Sequence, residues 1–271
     1  MPTIDEKRVY DAKTGTTTAL VASPIGVVAA SVSGDIVGEF GIEHRCTAHD
    51  LANDGGALAV ATDEDVLVGT FEPTGHGPAV AVGVDGDATL AAAPDGTVSR
   101  LRGDADGSPG GDEAGWEELG RVDGPRRLSG PLVAAADGVH RVRGGDLEHV
   151  GLDDACDVAA GGVPLAVTGD GLYTLGNGWM RDLSGGFRAV ATDPAGERAV
   201  AATGGAVYER TDEGVEWTEH AVAGVVDVAV DAELAVAVAG DGELRVNRDG
   251  DWRGRHLGVP DASAVVLPGA E

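Results

Sequence analysis

Lysine is almost missing from this sequence. Only Lys7 and Lys13 are present, so nearly all of the 19 basic residues are arginine, set against 46 acidic ones and a formal net charge of −27. Affinity for nucleic acid comes chiefly from Lys and Arg neutralising phosphates. No basic stripe or basic, aromatic-rich face offsets the acids, so a direct nucleic-acid partner is excluded. Cysteine is equally scarce, and Cys46 and Cys156 cannot build a disulfide framework; they read as small buried hydrophobes. Long apolar runs are missing too. No stretch approaches the roughly 18 apolar residues that cross a membrane, and the opening MPTIDEKRVY lacks the apolar run of a secretory signal. A cytoplasmic location with no membrane partner is the expectation.

Aromatic residues make up only 4 % of the chain although 42 % of it is hydrophobic, so Ala, Val and Leu must build the core. Side chains this small suit many thin, closely packed sheets better than a few thick helices. In dilute buffer a surface with this charge repels itself, whereas in molar salt the Debye length shrinks to about 3 Å and the repulsion is screened. An acid-rich, lysine-poor globular composition therefore points to a halophilic cytoplasm. A disordered acidic chain is set aside, because the apolar residues are plentiful and evenly spread.

What the sequence does have is a repeat. The stretch from Val225 to Val259 holds four short Val, Ala and Leu segments separated by acidic or glycine turns, the alternation expected of β-strands. Its middle segments are joined by Asp241-Gly242, a pair suited to a type I′ hairpin turn with positive φ at both central residues. Matching signals occur at Asp95-Gly96, Asp137-Gly138, Asp170-Gly171 and Gly204-Gly205, with weaker ones at Ile25-Gly26 and Glu64-Asp65. The spacing of these seven hairpins suits one four-stranded blade per repeat. The expected fold is all-β: a single β-propeller domain spanning 1–271, most readily seven blades of mostly four antiparallel strands, with six blades as the alternative because the first two repeats are the poorest. No window sustains helical spacing with caps. An acidic loop insertion occupies 103–115, FEPTG from Phe71 leaves room for only a stunted fourth strand, and Ala262 to Pro268 is expected to close the ring beside the first repeat. Trp116, Trp179, Trp217 and Trp252 each follow the turn after a third strand. Asp212 to Trp217 resembles an Asp-box, in which a carboxylate bonds turn amides and the indole packs beneath it.

Three groups of residues carry possible chemistry. His44, Cys46 and His49 lie close enough to be candidate metal ligands, but alternate strand residues face opposite ways and no second ligand cluster exists, so no metal or other cofactor is expected. Histidines recur near the ends of fourth strands, at His44, His149, His220 and His256, which reads as a structural or surface choice. Asp50, Asp157 and Asp227 each open the innermost strand of a repeat, in the strings DLA, DVA and DVA. They are candidates for an acidic ring at one mouth of the channel, able to hold a cation, with Arg188 in the equivalent place of another repeat as a cross-brace. Asp also favours turn-to-strand junctions for local hydrogen bonds, and three such residues in so acidic a chain are no rarity. No nucleophile elbow, P-loop or dinucleotide fingerprint is present, so there are no catalytic candidates and enzymatic activity is not the leading reading.

The strings RVYDAKTG from Arg8, SVSGDIVGEFG from Ser31, VATDEDVLVG from Val60, FEPTG from Phe71 and TGDGLYTLGNGWM from Thr168 resemble a haloarchaeal β-propeller family of uncharacterised function. The likeness covers nearly the whole chain, implies the propeller fold and a salt-loving host, and transfers no catalytic or binding residues. Taken together, the expectation is a monomeric, non-enzymatic scaffold or protein-interaction module whose partner is another protein. The alternative is a small-molecule or cation-binding propeller, possibly hydrolytic, built on the acidic ring. Transfer from molar to millimolar salt is expected to abolish the β-type circular dichroism of the protein; a cooperative melt retained in millimolar salt would contradict the inferred salt dependence.

Overall fold

The computed structural model of the chain describes residues 16–53, 58–102, 115–211, 216–248 and 250–268. They form seven four-stranded antiparallel sheets, with each innermost strand packed beside the next around a ring. In chain order the blades occupy 16–44, 48–73, 81–121, 125–151, 155–184, 187–220 and 225–256, referred to below as blades 1 to 7. No helix occurs among the described residues, and none is long and apolar enough to cross a membrane. The two poorest repeats each complete a sheet, which excludes six blades. The stunted strand of blade 2 is Glu72–Pro73. The insertion over residues 103–114, residues 212–215 of the Asp-box, and the Arg8 segment lie outside the described residues.

The ring closes through Ala264–Val266, which pairs antiparallel with Thr16–Ser23 in the register Leu20↔Val266, Val21↔Val265, Ala22↔Ala264. Blade 1 therefore takes its innermost strand from the far end of the chain, and Thr16–Ser23 is paired on both sides.

Packing explains the composition. Seven buried clusters lie one at each blade joint, and they are built mostly of Val, Ala and Leu. Small side chains let neighbouring sheets approach closely along their whole faces. The tryptophans close the outer end of this packing. Trp116, Trp179, Trp217 and Trp252 stand just before or at the start of the outer strands of blades 3, 5, 6 and 7, and each packs on the cluster between its own blade and the one before. Trp179 also donates its Nε1–H to the carbonyl of Val150 at 3.0 Å, in blade 4. In blade 2 the same place falls to Phe71, which packs on the joint with blade 1 and stacks on His44 at 4.5 Å. It does so with φ of 67°, a conformation that costs a non-glycine residue about 1–3 kcal/mol and that directs the chain into the short strand.

The hairpins differ from expectation in one respect. Asp241 and Asp95 keep negative φ, and only the glycine after each is left-handed, with φ of 82° at Gly242 and 91° at Gly96. Gly242 N–H donates to the carbonyl of Ala239 at 2.9 Å, and Gly96 to Ala93 at 3.0 Å. This is the three-residue hairpin loop in which a common turn is followed by a left-handed glycine, not a type I′ turn. The glycine has a second reason to be there. A Cβ on Gly242 would lie 2.0 Å from the carbonyl oxygen of Val259, and one on Gly96 would lie 2.2 Å from that of Val122, where the chain leaves the blade. Gly242→Ala is expected to lower thermal stability well beyond the roughly 1 kcal/mol of an unfavourable φ alone, whereas Gly34→Ala, with φ of 62° and open space around it, should show only that smaller loss in a calorimetric comparison.

Candidate functional site

The innermost strands are not regular. In five of them the register with the second strand slips at one place: between Ala48 and Asp50, Pro125 and Arg127, Ala155 and Asp157, Phe187 and Ala189, and Val225 and Asp227. Such a bulge re-aims the residue that follows it. The skipped residues are His49, Arg126, Cys156, Arg188 and Val226. The following ones are Asp50, Arg127, Asp157, Ala189 and Asp227. Arg188 thus occupies a skipped position and is exposed, and the arginine that joins the three aspartates is Arg127. The strings HDLA, RRLS, CDVA, RAVA and VDVA, beginning at His49, Arg126, Cys156, Arg188 and Val226, contain that alignment. In blade 6 the inward position falls on Ala189, one residue after Arg188, and in blade 4 it falls on Arg127.

Each aspartate bridges two blades. Asp50 accepts the N–H of Leu51 at 2.9 Å and, across the joint, that of Val82 at 3.0 Å. Asp157 accepts Val158 and Val190 N–H, both at 2.8 Å. Asp227 accepts Val265 N–H at 2.8 Å from the closing strand and that of Val228. The joints held are those between blades 2 and 3, 5 and 6, and 7 and 1. Arg127 of blade 4 crosses the channel to them. Its Nη1 donates to Asp50 Oδ1, and its Nη2 donates to the carbonyl of Ser263 at 2.6 Å and stands 3.7 Å from Asp227 Oδ2.

Three carboxylates share one guanidinium in a buried place, and their acidities follow. Burial pushes Asp50 up to about 6 against the pull of Arg127. It pushes Asp157 to about 8 and raises Asp227 as well, the negative charges adding to one another's effect on Asp50 and Asp157. For Arg127, burial works to lower the pKa, but the attraction of Asp50, Asp227 and Asp157 outweighs it and keeps the guanidinium charged. These shifts favour the protonated acids, so the cluster gives up its protons at higher pH than isolated aspartates do. Its carboxylate oxygens point at backbone amides and at Arg127, so its evident chemical work is to clamp blades.

The other candidates are dispersed. His44 ends the outer strand of blade 1, Cys46 lies in the linker that follows, and His49 is the skipped residue of blade 2, so the chain turns between them. No group of three His, Cys, Asp or Glu side chains comes together as a metal site among the described residues. Cys46 and Cys156 are free thiols, half-buried against blade joints, and burial pushes both up. Beside Cys46, where blades 1 and 2 meet, a cavity of about 600 Å³ opens between His44, Arg45, Asp63, Glu64, Leu67 and Pro73.

A closed ring of seven four-stranded blades, sealed by a strand from the far end of the chain and clamped by charge at its centre, defines a seven-bladed β-propeller. The chain belongs to the HVO_0234-like β-propeller family, whose profile matches residues 3–268. No curated protein is similar enough to count as a relative. Among solved structures, a functionally unknown protein from Desulfotomaculum acetoxidans is similar with a TM-score of 0.68 and 10 % identity, over 94 % of this chain and 100 % of that one. YCF48 bound to D1 peptide is similar with a TM-score of 0.53 and 14 % identity, over 77 % of this chain and 82 % of that one. Sqt1 of Chaetomium thermophilum, bound to the N-terminus of ribosomal protein L10, gives a TM-score of 0.55 and 14 % identity, over 80 % and 77 % of the two chains. At these identities the likeness is one of fold.

Removing Arg127 would leave the carboxylates without their cation. Arg127→Ala is expected to destabilise by about 3–5 kcal/mol, with a larger loss at pH 8 than at pH 5, where protonation of the acids relieves them. A carboxyl whose folded pKa is raised binds its proton more tightly in the folded chain, so its contribution to stability falls as pH climbs from the ordinary value of about 3.9 to about 8 for Asp157. Asp157→Asn is expected to flatten that slope in urea midpoints measured between pH 4 and 8 in molar salt; an unchanged slope would place the retained proton elsewhere.

Proposed function

We propose that this protein is a non-enzymatic propeller scaffold that presents its rim to another protein in a salt-rich cytoplasm. The observation that carries this reading is the state of the channel. Its three buried acids are committed to backbone amides of neighbouring blades and to Arg127, so the surface available to a partner is the loop-bearing rim. Rigid blades with variable loops suit that use. The propellers of similar fold that were solved with a D1 peptide and with the N-terminus of a ribosomal protein lend support by analogy of architecture, and the net charge of −27 favours a basic segment as partner.

A second reading has one observation in its favour. Asp50, Asp157 and Asp227 do converge, buried and with raised pKa values, which is the signature of many functional sites, so they are retained as candidates for cation or small-molecule binding. Arg188, exposed at its bulge, would stand outside such a site. Tagged protein recovered from cells at molar salt is expected to bring down a defined protein that survives washing; recovery of none above background, together with calorimetric binding of a divalent cation that Asp157→Asn abolishes, would favour the second reading.

A further inference from the structure

Blade 2 is the blade with a two-residue outer strand, and comparison with blade 5 shows what it lacks. The two hairpins correspond in register. Thr62 and Thr168 both pair with the opening alanine of the innermost strand, Ala48 and Ala155. Two residues on, the N–H of Glu64 and that of Asp170 each donate to the threonine hydroxyl at 3.2 Å. In blade 5 the Asp170 carboxylate is answered from its own blade. Arg181 of the outer strand pairs with it at 2.7 Å, and Tyr173, which stands opposite Arg181, donates its hydroxyl to it at 2.9 Å. Blade 3 repeats the arrangement with Arg121 and Asp95 at 3.1 Å.

Blade 2 has the acid without the answer. The residue five after Thr62 is Leu67, where blade 5 has Tyr173, and the residue opposite Leu67 is Pro73, where blade 5 has Arg181. Asp65 is used internally, its carboxylate accepting the N–H groups of Val66, Gly75 and Gly77. Asp63 and Glu64 are exposed, and no cation among the described residues pairs with either. An open cavity of about 600 Å³ is bounded by these residues, Leu67 and Pro73, in the blade whose outer strand is two residues long where that of blade 5 has six. Its apolar and acidic walls match the two parts of a long basic side chain, an aliphatic stem and a charged head. Arg45 is the cation in the lining; it is exposed, makes no ion pair among the described residues, and leaves the acids in excess.

We propose that this cavity is a docking site for an arginine side chain of a partner polypeptide, which would take in trans the place that Arg181 holds within blade 5. The proposal rests on the scaffold reading above and gives it a location and a chemistry. A planar guanidinium is favoured over an ammonium because it can meet two carboxylates at once.

Binding of a fluorescein-labelled hexa-arginine amide, followed by anisotropy at several salt concentrations, tests it. Because an acidic surface attracts any polycation, each variant is paired with a charge-matched control on the opposite face, where Asp85 and Asp87 flank an exposed turn. Asp63→Asn with Glu64→Gln is expected to weaken binding at least tenfold, and Asp85→Asn with Asp87→Asn less than twofold. Pro73→Arg, which supplies the missing cation from within, is expected to weaken binding as strongly while raising the melting temperature, against little change for Asp87→Asn. Hexa-lysine amide should bind the wild type more weakly than hexa-arginine amide. Equal losses in variants and controls, or no effect of Pro73→Arg, would overturn docking in this cavity and leave the scaffold reading to its own test, which is recovery of a partner protein from cells.

Discussion

A guanidinium placed in the central channel answers for three carboxylates and, through them, for three of the seven blade joints. Propeller blades meet through flat apolar faces, and such contacts have no direction of their own. Hydrogen bonds from Asp50, Asp157 and Asp227 to the next blade add direction. Arg127 makes it possible to keep those acids buried without their full mutual repulsion. With three carboxylates to one guanidinium the cluster is two positive charges short of neutrality, which together with burial favours the protonated acids. The register slips that aim these residues inward are thereby part of how the ring is fixed, and not defects in its strands.

Most of the architecture was legible because propeller repeats write themselves as turns. Asp95-Gly96, Asp137-Gly138, Asp170-Gly171 and Asp241-Gly242 marked four blades directly, and the closing role of Ala262 to Pro268 followed from the need to cover the exposed edge of the first repeat. The turn type was not legible. The same dipeptide serves several hairpin loops, and the second demand on Gly242 and Gly96, room for a carbonyl arriving from the blade's exit, is a tertiary contact that no local pattern carries. The three aspartates were legible as a group, because each opens a similar string, DLA, DVA and DVA. Arg127 was missed, and Arg188 put in its place, because a bulge shifts the inward position by one residue and leaves the sequence on either side looking unchanged.

The outer ends of the blades show how one joint-filling role passes between residue types. Trp116, Trp179, Trp217 and Trp252 fill it where the outer strand is long enough to follow a turn. In blade 2, Phe71 fills it from a strained backbone position and the strand behind it shrinks to Glu72–Pro73. Economy at the joint thus opens a gap at the rim, beside an acidic hairpin whose counterparts in blades 3 and 5 are neutralised from within. A structural shortcut and a candidate recognition surface are, in this blade, two sides of the same substitution of Phe for Trp and Pro for Arg.

Pairing of Leu20 with Val266 joins positions 246 apart in the chain, while nearly all other strand pairs are hairpins between immediate neighbours. The wheel can therefore assemble quickly from local pieces stacked in order, but its last joint waits on one long loop closure, whose entropy must be met before any contact there is gained. Until then blade 1 presents an unpaired row of amides and carbonyls along Thr16–Ser23. A growing or partly folded chain is most exposed to mispairing with a neighbour at that seam, and anything that hastens the return of the closing strand would protect the whole molecule.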